Sequence, residues 1–198
     1  MDNKVISHFR KVDPLLASII PQISSFDFGV SVDPFSDLVE SIISQQLSEK
    51  AGSTIFGRFK RLFKNNKITP VAILKLPDSA IRAVGPSWSK VSYIKNIARA
   101  AKDGVVNFQT IQSLDNEVVI QKLTKIKGVG PWTAEMFLMF ALGRQDVFSF
   151  GDLGLRNAIK RLYKLKKEPT RKKLEQITQK WSPYRTYAAR ILWKSLEI

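Results

Sequence analysis

Two helical runs in this chain are separated by almost nothing. "NEVVIQKLTKI" and "PWTAEMFLMFAL" are joined by "KGVG" alone, residues 127–130. So short a joint admits only an antiparallel helical hairpin. Glycines at 128 and 130 permit positive φ and close approach of another backbone. Pro131 fixes the start of the second helix, because its missing N–H costs nothing in the first turn. Amides at the turn and at that helix N-terminus then point outward as an anion site. Lys125 and Lys127 flank it with positive charge. An ordinary αα-turn would use the same glycines, so the turn alone does not decide between the two readings.

Composition narrows the choice. The 198 residues are 44% hydrophobic and include no cysteine and one histidine, His8. That excludes disulfides, thiolate zinc sites, cysteine nucleophiles, iron–sulfur clusters and a histidine metal cluster. No metal site or redox cofactor is expected. Lys and Arg number 32 against 17 Asp and Glu, a net charge of +15. Such an excess points to a polyanion, nucleic acid first. The stretch "RNAIKRLYKLKKEPTRKK", residues 156–173, is almost purely basic, whereas charges before residue 50 are mostly acidic. No apolar run reaches membrane-spanning length. The N-terminus lacks a signal core, so an intracellular, membrane-free monomer is expected.

Helical patterns fill most of the chain, with few strand signals beyond "DVFSF". Pro34 opens "PFSDLVESIISQQL", and Ser48 is the expected N-cap of the run that follows. Further helices are expected over "PDSAIRAV", "SKVSYIKNIARAAKDG" and "NEVVIQKLTKI", the last capped by Asp115. After Pro131, Asp152 precedes "LGLRNAIKRLY", Thr170 precedes "RKKLEQITQKW", and Pro183 opens "YRTYAARILWKSL". Trp88 and Trp181 are expected to pack in the core.

Four stretches, in order, carry a resemblance. "LVESIISQQLSEKAGSTIFGRF", "LTKIKGVGPWTAEMFLMFAL", "DVFSFGDLGLRNAIKRLY" and "WSPYRTYAARILW" resemble the helix-hairpin-helix DNA glycosylase superfamily, in its 3-methyladenine DNA glycosylase II (alkylbase) branch. The likeness covers residues of about 30–195. It implies an all-α, two-lobed fold with the active-site cleft between lobes. One lobe would hold the central helices, 30–110; the other would combine 1–29 and 111–198, with hairpin and catalytic loop. The extra N-terminal β-rich domain of larger members is not expected in residues 1–198. The implied partner is double-stranded DNA with damaged purines.

The resemblance also assigns roles. Asp152, read locally as a helix N-cap, matches the family's catalytic aspartate; the two roles are compatible, since dipole and amides keep a capping carboxylate ionised. Asp146, six residues earlier, is expected to support the loop. Arg185 would contact phosphate or form an ion pair, and the second is preferred. Bifunctional members carry a Schiff-base lysine where this chain has Trp132, so the chemistry should stop at an abasic site. Trp132 and Trp193 match pocket aromatics that stack on a cationic base. Met136 stands where relatives often have tyrosine. Gly128, Val129, Gly130, Lys127 and Thr133 are the expected hairpin contacts to DNA. Gln46 aligns with the wedge that fills the gap left by a flipped nucleotide, with Gln45 a weaker candidate for the duplex. A non-catalytic damage-binding protein, and a glycosylase for oxidised or deaminated bases, stand as rival readings.

Overall fold

The computed structural model describes residues 2–22 and 29–197; residues 23–28, part of the expected 1–29 segment, lie outside them. In chain order the helices are α1 (Asn3–Val12), α2 (Pro14–Ala17), α3 (Pro34–Ser44), α4 (Glu49–Lys60), α5 (Pro70–Lys75), α6 (Asp78–Ala83), α7 (Trp88–Lys102), α8 (Asn116–Thr124), α9 (Pro131–Phe140), α10 (Leu153–Leu162), α11 (Arg171–Thr178) and α12 (Arg185–Lys194). The described residues contain no strand, and "DVFSF" is irregular backbone. Helix starts follow side-chain chemistry. Asp33, Ser48, Thr69, Ser87, Asp152 and Thr170 each accept an amide hydrogen bond from the first turn they precede. Such a bond satisfies a donor that the helix itself leaves unpaired. Asp115 stands at the expected cap of α8, but its side chain makes no capping bond. α1, α2 and α5 have no counterpart among the expected helices.

The helices form two compact units, one of residues 1–29 with 143–198 and one of residues 30–142. The hairpin, expected with the terminal segments, falls in the 30–142 unit. The reason is tertiary: Asn96 of α7 donates to the Lys127 carbonyl at 3.0 Å, and the Tyr93 ring lies against Gly128. This unit's core is an apolar stack of Leu38, Ile42 and Ile43 from α3, Phe59 from α4, Ile73 from α5, and Ile94 and Ile97 from α7. Trp88 corrects an expectation. It starts α7 at 58% exposure, with the Arg82 guanidinium 6.0 Å from its ring centre.

The other unit closes on a buried carboxylate. Asp13, between α1 and α2, accepts from the Leu16 amide (3.1 Å), the Trp181 indole (2.7 Å) and the Tyr163 hydroxyl, and pairs with Lys180 at 2.9 Å. Burial alone would raise its pKa, but these donors outweigh burial and hold it below the usual range. Burial and the neighbouring carboxylate push the Tyr163 hydroxyl well up. Trp181 is fully buried, as expected, and ties the C-terminal helices to the N-terminal segment.

Candidate active site

In the unit of residues 1–29 and 143–198, the loop from α9 to α10 carries two aspartates. Asp146 is clamped by Arg185: Nε donates to one carboxylate oxygen at 2.7 Å and Nη2 to the other at 2.9 Å. Ser182 Oγ and the Arg185 amide add bonds of 2.8 and 3.2 Å. Ion pairing with Arg185, the first residue of α12, therefore holds the Asp146 loop to the start of that helix. Asp152 is the N-cap of α10. Its Oδ1 accepts from the Leu155 amide at 2.8 Å and from the Trp193 indole N–H at 3.1 Å. Both donors are neutral groups. Gly154 makes room for this arrangement. A Cβ there would stand 3.1 Å from Asp152 Oδ1 and 3.4 Å from the indole. The "GDLG" spacing was the sequence signal for Gly154, and the expected site omitted it.

In the 30–142 unit the hairpin is as tight as its sequence requires. Gly128 adopts φ +106°, and any Cβ would strike the Tyr93 ring at 2.2 Å. Gly130 does not use positive φ. It is the extended N-cap of α9, and the space where its Cβ would stand is open. The first turn of α9 receives no side-chain cap. Val129 is buried, and its amide is spent inside the turn on the Ile126 carbonyl at 2.9 Å. Thr133 is also buried, its hydroxyl accepting from Gln45 Nε2 at 3.1 Å. Of the expected hairpin contacts, Val129 and Thr133 thus turn their side chains inward. Lys127 is exposed, and Trp132 is 44% exposed in the first turn of α9.

The end of α3 brings Gln45 and Gln46 to the same unit. The helix stops at Ser44, short of the expected run, and Gln46 takes the left-handed conformation at φ +59° with its side chain exposed. Met136 lines a cavity of about 260 Å³ with Phe137, Phe140, Ser44, Asp37 and Glu40. Burial raises the pKa of Asp37; burial and then the Asp37 charge raise that of Glu40. Asp37, Glu40 and Phe140 were absent from the expected site. Phe140 follows Met136 by one helical turn and is 49% exposed, the kind of apolar residue periodicity assigns to a core.

Comparison with known proteins now decides the family. Residues 39–183 match the family described as HhH-GPD superfamily base excision DNA repair protein. The chain belongs to the HhH-GPD superfamily. Among curated HhH-GPD relatives, DNA-3-methyladenine glycosylase 1 of Schizosaccharomyces pombe is 38% identical over 168 residues, covering 84% of this chain and 74% of that protein. A solved structure of an S. pombe 3-methyladenine DNA glycosylase in complex with abasic DNA superimposes with a TM-score of 0.87. It is 33% identical and covers 99% of this chain and 98% of its own. DNA-3-methyladenine glycosidase from Bacillus halodurans follows at TM-score 0.84 and 37% identity, covering 98% and 89%. The all-helical architecture is that of this superfamily. No described helix is long and apolar enough to cross a membrane.

Proposed function

We propose that this chain is a monofunctional DNA glycosylase that removes alkylated purines from duplex DNA and leaves an abasic site, the first step of base excision repair. The observation that carries the reading is Asp152, fixed at the start of α10 by an amide and an indole, in a chain whose relatives are named 3-methyladenine glycosylases.

Alkylation at N3 or N7 places positive charge on the purine and makes it a good leaving group. The glycosidic bond breaks toward the base, whose charge the departing electron pair neutralises, and positive charge develops on the sugar. The Asp152 carboxylate stabilises that charge and orients the water that adds to C1′. The water proton is released, and the products are a free base and an abasic site. Trp132 offers no amine for a Schiff base, so the strand stays intact. The faces of Trp132 and Trp193 suit a cationic base. The Met136 cavity, with Asp37 and Glu40 at its wall, favours the same charge. Lys127 and the Gly128–Gly130 turn grip a phosphate at the uncapped start of α9. Gln46 fills the gap left by the extruded nucleotide, with Gln45 behind it. The protein acts as a monomer.

The test is base release from methylated duplex DNA at low salt. Wild type should release 3-methyladenine with strands intact before alkali. Asp152→Asn should lose about 2–4 kcal/mol of transition-state stabilisation, two to three decades in rate. Tight binding without release would favour a damage-binding protein. Borohydride trapping on DNA would favour a lyase.

A further inference from the structure

A helix end with a left-handed residue is usually closed by glycine. At the end of α3 that position is Gln46, at φ +59°, uphill for any residue with a Cβ. A second element holds the turn. From the first turn of α7, Lys90 Nζ donates to the Ile43 carbonyl at 2.8 Å and to the Gln45 carbonyl at 2.6 Å. These belong to the last carbonyls of α3, which lack partners within the helix and carry its negative dipole end. Gln45 completes the fastening, because its side chain reaches Thr133 in the first turn of α9. Gln46 is exposed in this turn, as is Leu47 after it, while the backbone beneath Gln46 is tied to α7 and α9.

We propose that Lys90 is a positioning residue that sets Gln46 for insertion into the duplex; the proposal rests on the reading of Gln46 as the wedge. Lys90 does not touch the reacting atoms. Its ammonium is half-buried against carbonyl oxygens, and desolvation lowers its pKa from the ordinary lysine value. A lysine recruited for phosphate would instead keep its head in water. Without the clamp, the two carbonyls must find water, and the turn has less reason to hold a glutamine in the left-handed region. The outward direction of the wedge side chain would then be lost, although the core of α3 would be untouched.

The experiment compares wild type, Lys90→Met, Lys90→Arg, Gln46→Ala and the Lys90→Met/Gln46→Ala pair at matched thermal stability. Two duplexes carry the same methylated purine, one paired and one in an unpaired bulge where extrusion costs little. Lys90→Met should slow release about tenfold from the paired site and no more than about twofold from the bulge. Lys90→Arg, which can still donate to two carbonyls, should recover most of the loss. The double variant should be no slower than Gln46→Ala alone. A parallel measurement needs no chemistry: 2-aminopurine beside an abasic analogue should brighten with wild type and Lys90→Arg, and much less with Lys90→Met. Equal slowing on both duplexes, or losses that multiply in the double variant, would overturn the proposal. So would a uniform loss of affinity for undamaged DNA with the salt slope reduced by about one, which marks a phosphate contact. If wild type releases no base yet 2-aminopurine responds as stated, the functional reading fails and the role of Lys90 stands. If wild type releases base and Lys90→Met matches it on both duplexes, only the Lys90 proposal fails.

Discussion

Asp146 and Asp152 stand six residues apart in one loop, and the chain treats them differently. Asp146 faces a guanidinium that covers both its oxygens, with a serine hydroxyl and an amide added. Its charge is balanced where it sits, and the result is a staple between the loop and the start of α12. Asp152 accepts from an amide and an indole. Those bonds orient the carboxylate and bring no countercharge of their own. Position in the fold explains the contrast. Asp146 lies where the chain passes Arg185, whereas Asp152 is the last residue before a helix, whose first amides are neutral donors. In the proposed chemistry a carboxylate that faces a developing cation is best held by dipoles, and the Leu155 and Trp193 hydrogen bonds hold Asp152 in that way.

Exchanging each acid for its amide sharpens the contrast. Asp152→Asn should cut base release at least a hundredfold, about 2.7 kcal/mol, with little change in melting temperature, because asparagine caps a helix about as well as aspartate. Melting and activity falling together would reduce Asp152 to a cap. Asp146→Asn should do the opposite. Turnover per folded molecule should stay within a few-fold, while urea denaturation should show a loss of about 1–2 kcal/mol, kept modest because the pair is partly exposed. A hundredfold loss of turnover without destabilisation would place Asp146 in the chemistry.

The same staple predicts an acid limb. Burial alone would raise the Asp146 pKa, but the Arg185 and Ser182 bonds, the Arg185 amide and the Arg185 charge outweigh it and hold the value below the ordinary one. A depressed folded-state pKa contributes stability that is complete above the unfolded value, about 3.9, and is lost as pH falls through the folded value. Stability measured in urea should therefore drop below about pH 4, and Asp146→Asn should shrink that drop. Asp13, depressed in the same direction, should retain its share in the variant. An unchanged acid limb would mean that the Asp146 clamp contributes nothing to folding.

Much of this was legible in the residues. Ser48, Asp152 and Thr170 announced helix starts through their side-chain oxygens, and "KGVGP" announced a hairpin through steric need alone. The structural role of Asp146 and the ion pair of Arg185 also followed from the sequence. The remainder depended on partners distant in the chain. Gly128 owes its place to Tyr93, and the turn after α3 owes its hold to Lys90, more than forty residues away. Gln46 gave no warning of its left-handed backbone, since glycine is the usual sign of that conformation. Trp88 misled because a tryptophan near an apolar helix is normally packed. Asp37 and Glu40 of the cavity drew no expectation from the sequence, because tertiary structure is what sets them beside Met136.

The finest discrimination concerns Trp193, which the family likeness makes a stacking wall and the structure makes a donor to Asp152. Phenylalanine separates the two uses, because it keeps an aromatic face and loses the N–H. A neutral hydrogen bond is worth about 1 kcal/mol, so Trp193→Phe should slow base release about fivefold if the indole chiefly orients the carboxylate. That loss should fall on the chemical step in single-turnover kinetics, and it should vanish in the Asp152→Asn background, where there is no charge left to orient. If stacking is the main use, the smaller ring should instead weaken lesion binding and leave the chemical step unchanged once the site is saturated. A loss that persists in both backgrounds would detach Trp193 from Asp152 and remove the feature that distinguishes this aspartate from its neighbour at 146.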